Sequence, residues 1–309
     1  MKISHGRQVV FKMAAKPPVR GSGRLLRKGC PNHLHSTPMS TDQTHLVAIS
    51  IGNTRTQVGH FVDGELSQSE RFSNSDLVPI VQSITKWWAS AADDAGRIIL
   101  LASVNDPVAD RLSSTLKDQL SAEVFRVGDD VPIPIGQQLD PETMTGADRL
   151  LNAAAAFDRV KQACVIVDAG TAVTVDFVDG QGTFHGGAIA PGAAMQLQAL
   201  HEHTAALPEL AFRAPDQEPF GRNTSQAMLQ GVFHGIRGMV QRLVEQYAEH
   251  YGAFPLVIAT GGDAAVLFEN EQLIDRIVPD LTLLGIAIAG KHALADDRSK
   301  GGRPDQNNQ

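Results

Sequence analysis

Two glycine–threonine turns are the first residues here whose types and spacing suit chemistry. Ser50-Ile51-Gly52-Asn53-Thr54 closes one apolar run, and Asp168-Ala169-Gly170-Thr171-Ala172 closes another. A tight turn of this composition presents backbone N–H groups and a hydroxyl at one point. Glycine lets a bound group come close, which suits phosphate oxygens. Each turn alone is equally an ordinary β-turn. Two of them, opening two similar stretches, favour a phosphate tail held from both sides of a cleft.

Three further segments carry candidate side chains. Gly146-Ala147-Asp148-Arg149 opens a helix, with Thr145 as the expected N-cap. An acid in a first helical turn is by default a dipole partner. Beside an arginine it is also a candidate general base next to a fork that pairs a carboxylate. Thr260-Gly261-Gly262-Asp263 follows a strand and precedes a short helix. It reads either as a strand-to-helix turn capped by Asp263 or as a close backbone approach to a nucleotide. The segment from Gly186 to Gly192 (GGAIAPG) needs backbone freedom at both ends, as a packed corner near a site would. His201-Glu202-His203 is not a metal signature, because histidines two apart point to different sides of a helix. Cys164 reads as strand packing; Trp87 and Trp88 lie on a helix, and Trp88 at least reads as core rather than ligand.

The elements that must position these residues follow from periodicity. His45–Ile51 and Thr56–Val62 read as strands, with Asp63-Gly64 a hairpin signal. Leu77, Ile80, Val81, Ile84, Trp88 and Ala91 keep helical spacing over 76–92. A buried-type strand spans 97–103, a helix 106–120 and a short strand 123–127, before a proline-rich connection over 128–145. A second cycle has strands at 163–168, 173–178 and 183–189. Helices follow at 192–206 and 222–250, then a strand at 255–260 and a last helix at 282–295. The two cycles open alike: apolar strand, glycine–threonine turn, second strand, Asp-Gly turn. This is a weak internal repeat of two mixed α/β halves.

Composition narrows the classes. The chain has 309 residues, 42% apolar and 20% charged, an ordinary globular balance. Its net charge of −7 is uneven. Residues 1–44 hold eight Lys/Arg and one acid; the remainder holds 19 basic and 33 acidic residues. An acidic body of this kind does not suit nucleic acid. Two cysteines and no paired Cys/His spacing argue against a disulfide scaffold or zinc ribbon and fit a reducing compartment. The longest apolar run, Leu281 to Gly290, falls short of the roughly 18 residues of a membrane span. Residues 1–44 read as a disordered basic extension. Either it targets or tethers the chain, or translation begins at Met39, the reading favoured here. Residues 296–309 read as a disordered tail. The expected organisation is therefore 45–145 and 146–295 as two α/β domains between these ends.

The ordered set of Ile51-Gly52-Asn53-Thr54-Arg55-Thr56, GADRL at 146–150, DAGTAVTVD at 168–176, GGAIAPG at 186–192, Ala206-Leu207-Pro208, Gly221-Arg222-Asn223-Thr224 and TGGDA at 260–264 closely resembles the type III pantothenate kinases. The resemblance runs over about 46–290 and leaves out the basic N-terminus. It implies an actin-like, sugar-kinase-like (ribonuclease-H-like) fold, two related α/β domains with ATP between them. It also implies transfer of the ATP γ-phosphoryl group to the 4′-hydroxyl of pantothenate, the first step toward coenzyme A. Mg²⁺ with ATP, a monovalent cation (K⁺ or NH₄⁺), a homodimer, and a cytoplasmic location without membrane or nucleic acid complete the expectation. By the resemblance, Ser50, Ile51, Gly52, Asn53, Thr54, Arg55, Thr56 and Gln57 form the first phosphate loop. Asp148 is the base. Gly146, Ala147 and Arg149 contact the substrate, with Arg149 facing the pantothenate carboxylate. Asp168 is a monovalent-cation ligand, Thr171 an ATP contact, and Thr224 a pantothenate contact close to the dimer interface. Gly261, Gly262 and Asp263 lie near the adenosine.

The chain departs from the family pattern in places. Ser50 stands where the family usually has an aspartate that helps hold Mg²⁺, so weaker metal or ATP handling is expected. Gln57 stands where a lysine is frequent, and Leu139 near where many members place a tyrosine. Ser50 motivates a competing expectation, a catalytically weak nucleotide-binding paralogue with a regulatory or partner role. The retention of Asp148, Arg149, Asp168 and Thr171 speaks against it. A different small-molecule kinase on the same fold is disfavoured by the GADR and GGAIAPG segments.

Overall fold

The computed structural model describes residues 44–91, 96–216 and 218–301, the last six as backbone alone. The readings of 1–43 and 302–309 lie outside the described residues.

The first half begins with β1 (Thr44–Ile51), β2 (Arg55–Val62) and β3 (Glu65–Ser73), a meander joined by the Asn53–Thr54 and Asp63–Gly64 turns. Helix α1 (Val78–Ser90) leads to β4 (Gly96–Ser103), and α2 (Asp106–Leu120) leads to β5 (Val124–Arg126). Strands β4 and β5 add in parallel, giving the order β3-β2-β1-β4-β5. A two-residue strand, β6 (Gly136–Gln137), and helix α3 (Ala147–Val160) connect to the second half. There β7 (Cys164–Ala169), β8 (Ala172–Val178) and β9 (Thr183–Pro191) form another antiparallel meander. Helices α4 (Ala193–Glu202) and α5 (Thr224–Tyr251) follow, then β10 (Leu256–Thr260), α6 (Ala264–Phe268), β11 (Arg276–Ile277) and α7 (Leu281–Gly301). The second sheet is ordered β11-β10-β7-β8-β9-β6. Apart from β6 it repeats the first strand for strand: a three-stranded meander whose first member continues into two parallel strands. The weak sequence repeat is a full topological repeat, and the fold is the paired, actin-like α/β architecture.

Helices α3 and α7 bind the two sheets together. Leu150 to Ala156 are all buried, so α3 has no solvent stripe in its middle turns. Leu151, Leu283, Ile286 and Ala289 pack with Ala48, Phe61 and Leu100 of the first sheet. Leu150, Ala153, Ala155 and Leu281 pack with Ile166, Val178 and Ile258 of the second. The two helices touch closely at Gly285, where a Cβ would run into the carbonyl of Leu151.

Several local expectations change. Strand β3 carries no apolar alternation, because it is an edge strand exposed on most of its length. In α1 the buried tryptophan is Trp87, at 3% exposure, and Trp88 is only half-buried. Trp87 anchors on β3 through Nε1–H to Gln68 Oε1 at 2.8 Å. Thr145 does not cap α3, whose N-cap is Gly146 without a side-chain bond. Helix α4 ends at Glu202, and α7 continues through Gly301.

Candidate active site

The turn after β1 is built by hydrogen bonds that leave its tip free. Gly52 N–H donates to the Arg55 carbonyl at 2.9 Å. Asn74 clasps the turn from below. Its Nδ2 donates to the Gly52 carbonyl at 2.8 Å, its Oδ1 accepts from Thr56 Oγ1 at 2.7 Å, and its N–H donates to the Thr54 carbonyl at 3.0 Å. Asn105, the N-cap of α2, reaches the Asn53 carbonyl at 3.2 Å. Asn53, Thr54 and Arg55 therefore stand exposed on a fixed backbone. Neither Asn74 nor Asn105 was singled out from the sequence. An asparagine beside a serine in a polar stretch carries no signal until its partners are known.

The expected phosphate loop thus divides. Ile51 is a core residue at 2% exposure and offers the site only its backbone. Thr56 is fully buried, with its hydroxyl committed to Asn74. Gln57 lies opposite Ser50 in the β1–β2 register, and its amide donates to Asp280 Oδ1 at 2.5 Å. Arg71 is next in the same cross-strand row and donates to the Pro279 carbonyl at 2.7 Å.

The second turn meets the first. Thr54 Oγ1 and Thr171 Oγ1 are 3.2 Å apart, so the two glycine–threonine turns face each other across the gap between the sheets. Two other glycine segments converge on the second turn. Gly261 has φ +97°, and a Cβ there would overlap the Ala169 carbonyl and approach Asp168 Oδ1 to 2.5 Å. Asp263 N–H then donates to the Ala169 carbonyl at 2.9 Å. Gly192 N–H donates to the Thr171 carbonyl at 3.0 Å, and a Cβ on Gly192 would lie 2.5 Å from that oxygen. Glycine is required at both places because backbone passes against backbone. Arg55 approaches from the first sheet, with its Nη1 3.7 Å from where a Gly262 Cβ would be. Its charge opposes the burial that raises the Asp263 carboxyl above the usual range.

The start of α3 brings carboxylates to the same region. Asp148 is half-buried; its Oδ1 accepts the Arg149 N–H at 2.8 Å and fills the space a Gly146 side chain would need. Ala147 is half-buried against the first sheet's core. Asp168 accepts from Asn152 Nδ2 at 3.0 Å, and Asn152 Oδ1 accepts from Thr282 at 2.8 Å. Burial, together with the nearby charge of Asp148, pushes the Asp168 carboxyl up to about 6. The guanidinium of Arg149 is held by Asp176 through Nε, at 3.1 and 3.2 Å, and through Nη2. Asp176 is buried at 2% exposure and was not singled out as a site residue. The expected carboxylate-binding arginine thus already has a partner within the protein.

Thr224 is set apart from this cluster. It is the first residue of α5 and lines a groove of about 800 Å³ between α4 and α5, with Met195, Leu200, Leu207 and Met228. His201 Nδ1 pairs with the Leu207 carbonyl oxygen at 2.8 Å. Leu139 packs as a partly buried apolar residue, 3.1 Å from where a Gly186 Cβ would be. Among the described residues no His/Cys/Asp/Glu cluster forms a metal cage, and no helix is long and apolar enough to cross a membrane.

The sequence profile of the type III pantothenate kinases matches residues 46–246. The chain belongs to the type III pantothenate kinase family. A type III pantothenate kinase of Dehalococcoides mccartyi is 35% identical over 254 residues, which cover 79% of this chain and 96% of that one. Another, from Rhodospirillum rubrum, is 36% identical over 252 residues, with 79% and 96% covered. Among solved structures, a protein of Campylobacter jejuni described as a conserved Baf family transcriptional activator aligns with a TM-score of 0.52. That alignment is 20% identical and covers 81% of this chain and 99% of the other, a likeness of fold.

Proposed function

We propose that this chain is an ATP-dependent pantothenate kinase that phosphorylates the 4′-hydroxyl of pantothenate, the first step toward coenzyme A. The observation that carries the reading is the facing pair of glycine–threonine turns beside Asp148 and Arg149, in a chain of this family.

In this reading the exposed tips Asn53 to Arg55 and Thr171, with Gly52 at the base of the first turn, cradle the ATP phosphates from the two sheets. Ser50 and Gln57 flank them, and Ile51 and Thr56 hold the loop's shape from below. Gly261 to Asp263 border the adenosine. Phosphoryl transfer passes through a loose transition state, so positioning and charge stabilisation do most of the work. Asp148 accepts the hydroxyl proton as the new P–O bond forms, an effect worth roughly 10²–10⁴-fold. Gly146, Ala147 and Arg149 orient the substrate, the arginine through its carboxylate.

The donor set suits hard cations. Asp148 and Asp168 lie near enough for the charge of one to act on the other, a local excess of negative oxygen. Asp168 would hold the monovalent cation. Mg²⁺ would ride largely on ATP oxygens and water, and when bound it neutralises phosphate charge. The apolar α4–α5 groove, with Thr224 on its wall, suits a second copy, so Thr224 would meet pantothenate near a homodimer interface. The cytoplasm is the compartment assigned, in keeping with a free, buried Cys164.

The test is product identification. The full chain with ATP, Mg²⁺, K⁺ and pantothenate should yield 4′-phosphopantothenate by mass spectrometry. Absence of the product, or phosphorylation of a hexose in its place, contradicts the reading.

A further inference from the structure

Asp176 has no part in the catalytic roles above, yet the fold spends several features on it. It sits in the middle of β8, whose Val173, Val175 and Phe177 face the opposite way into the core. A carboxylate at 2% exposure needs a partner to persist in ionised form. The β8–β9 pairing slips at this residue, between Asp176 and Val178. Opposite Asp176 stands Gly187, where a Cβ would collide with the Val175 carbonyl and come within 2.7 Å of Asp176 Oδ1. Gly186 beside it has φ +84°. The two glycines clear the volume into which the carboxylate turns. Beyond the slip, the Arg149 guanidinium carbon lies over the Phe184 ring, 5.6 Å from its centroid.

The guanidinium is therefore held on one edge by Asp176 and sits over the Phe184 ring. The bonded edge is Nε and Nη2, which leaves Nη1 for another acceptor. The neighbouring carboxylate, Asp148, accepts the Arg149 backbone N–H rather than its guanidinium among the described residues. The side-chain hydrogen bonds of Arg149 go to Asp176, while its charge still acts on Asp148 at longer range.

We propose that Asp176 is a positioning residue that fixes Arg149 with its Nη1 edge free for the substrate carboxylate. This rests on the reading of the chain as a pantothenate kinase with Arg149 at the substrate carboxylate.

The experiment is a double-mutant cycle in the full chain, with Asp176→Asn, Arg149→Gln and their combination, assayed for KM of each substrate and for kcat. Asp176→Asn should raise the KM for pantothenate roughly 10–100-fold, the worth of a charge-assisted bond. The KM for ATP should stay within about twofold. In the Arg149→Gln background, Asp176→Asn should cost nothing more. Asp176→Glu retains the charge on a longer arm. It should also raise the pantothenate KM, and it serves where the asparagine variant melts below assay temperature. Losses that add across the cycle, or equal effects on both substrates, overturn the proposal and leave a merely structural ion pair. A wild-type chain that turns over no pantothenate overturns the parent reading, and this inference with it.

Discussion

At the residue scale, the departures at Ser50 and Gln57 acquire a geometry. The two are directly opposed across β1 and β2, so their side chains share one face, with Arg71 next in the row. The two positions where the resemblance leads one to expect an acid and a base therefore fall on one spot, and the Gln57 amide turns to Asp280. A carboxylate placed at position 50 would share this face with the Arg71 cation two strands away. Ser50→Asp is expected to lower the Mg²⁺ concentration for half-maximal turnover several-fold, read by titrating Mg²⁺ at fixed ATP. No change in either the Mg²⁺ or the ATP requirement would remove Ser50 from metal handling. Asn74 makes a second prediction at this scale. Asn74→Ala leaves the buried Thr56 hydroxyl without its partner and frees the Gly52 carbonyl. It should cost about 1–3 kcal/mol of stability and raise the KM for ATP. An unchanged Tm with an unchanged ATP KM contradicts the clasp.

At the element scale, the β1–β2 hairpin docks on α1 through a buried stack. His45 Nδ1 and His60 Nε2 are 3.0 Å apart, and the His60 ring stacks on Trp87 at 5.7 Å. Burial, then the charge of His45, lowers the His60 pKa from its ordinary 6.5. The folded state therefore takes up a proton less readily than the unfolded chain. Stability from this site is complete above pH 6.5 and is lost as pH falls below that value toward the lowered one. Tm should drop between pH 7.5 and 5.0, and His60→Phe, which removes the titration, should drop less over the same interval. An equal drop in both proteins contradicts it. These elements also show what the sequence made legible. Apolar strands closed by glycine–threonine turns gave β1, β2, β7 and β8 nearly to the residue, because alternation and turn chemistry are local. Strand β3 was missed because an exposed edge needs no apolar side chains. Helical spacing placed Trp88 against the core, where it packs half-buried, but did not show that Trp87 is the deeper of the two, because its indole N–H is satisfied only by the distant Gln68.

At the scale of the whole molecule, two copies of one strand order face each other, and α3 and α7 fill the space between. That arrangement brings Thr54 to Thr171, 117 residues apart in sequence, and puts Asp148 beside Asp168. The candidate side chains were legible as types because glycine, threonine, aspartate and arginine stand out in apolar surroundings. Their partners Asn74, Asn105, Asn152 and Asp176 were not, since a clasp or an ion pair exists only once distant strands meet. The account stands on Asp148 as the base within this cleft. The most direct measurement is pantothenate-dependent ADP release by the full chain, with ATP, Mg²⁺ and K⁺, for wild type and Asp148→Asn. The account predicts release that requires pantothenate and falls roughly 10²–10⁴-fold in the variant, while ATP binding stays near wild type. Turnover retained in Asp148→Asn, or release indifferent to pantothenate, would contradict it.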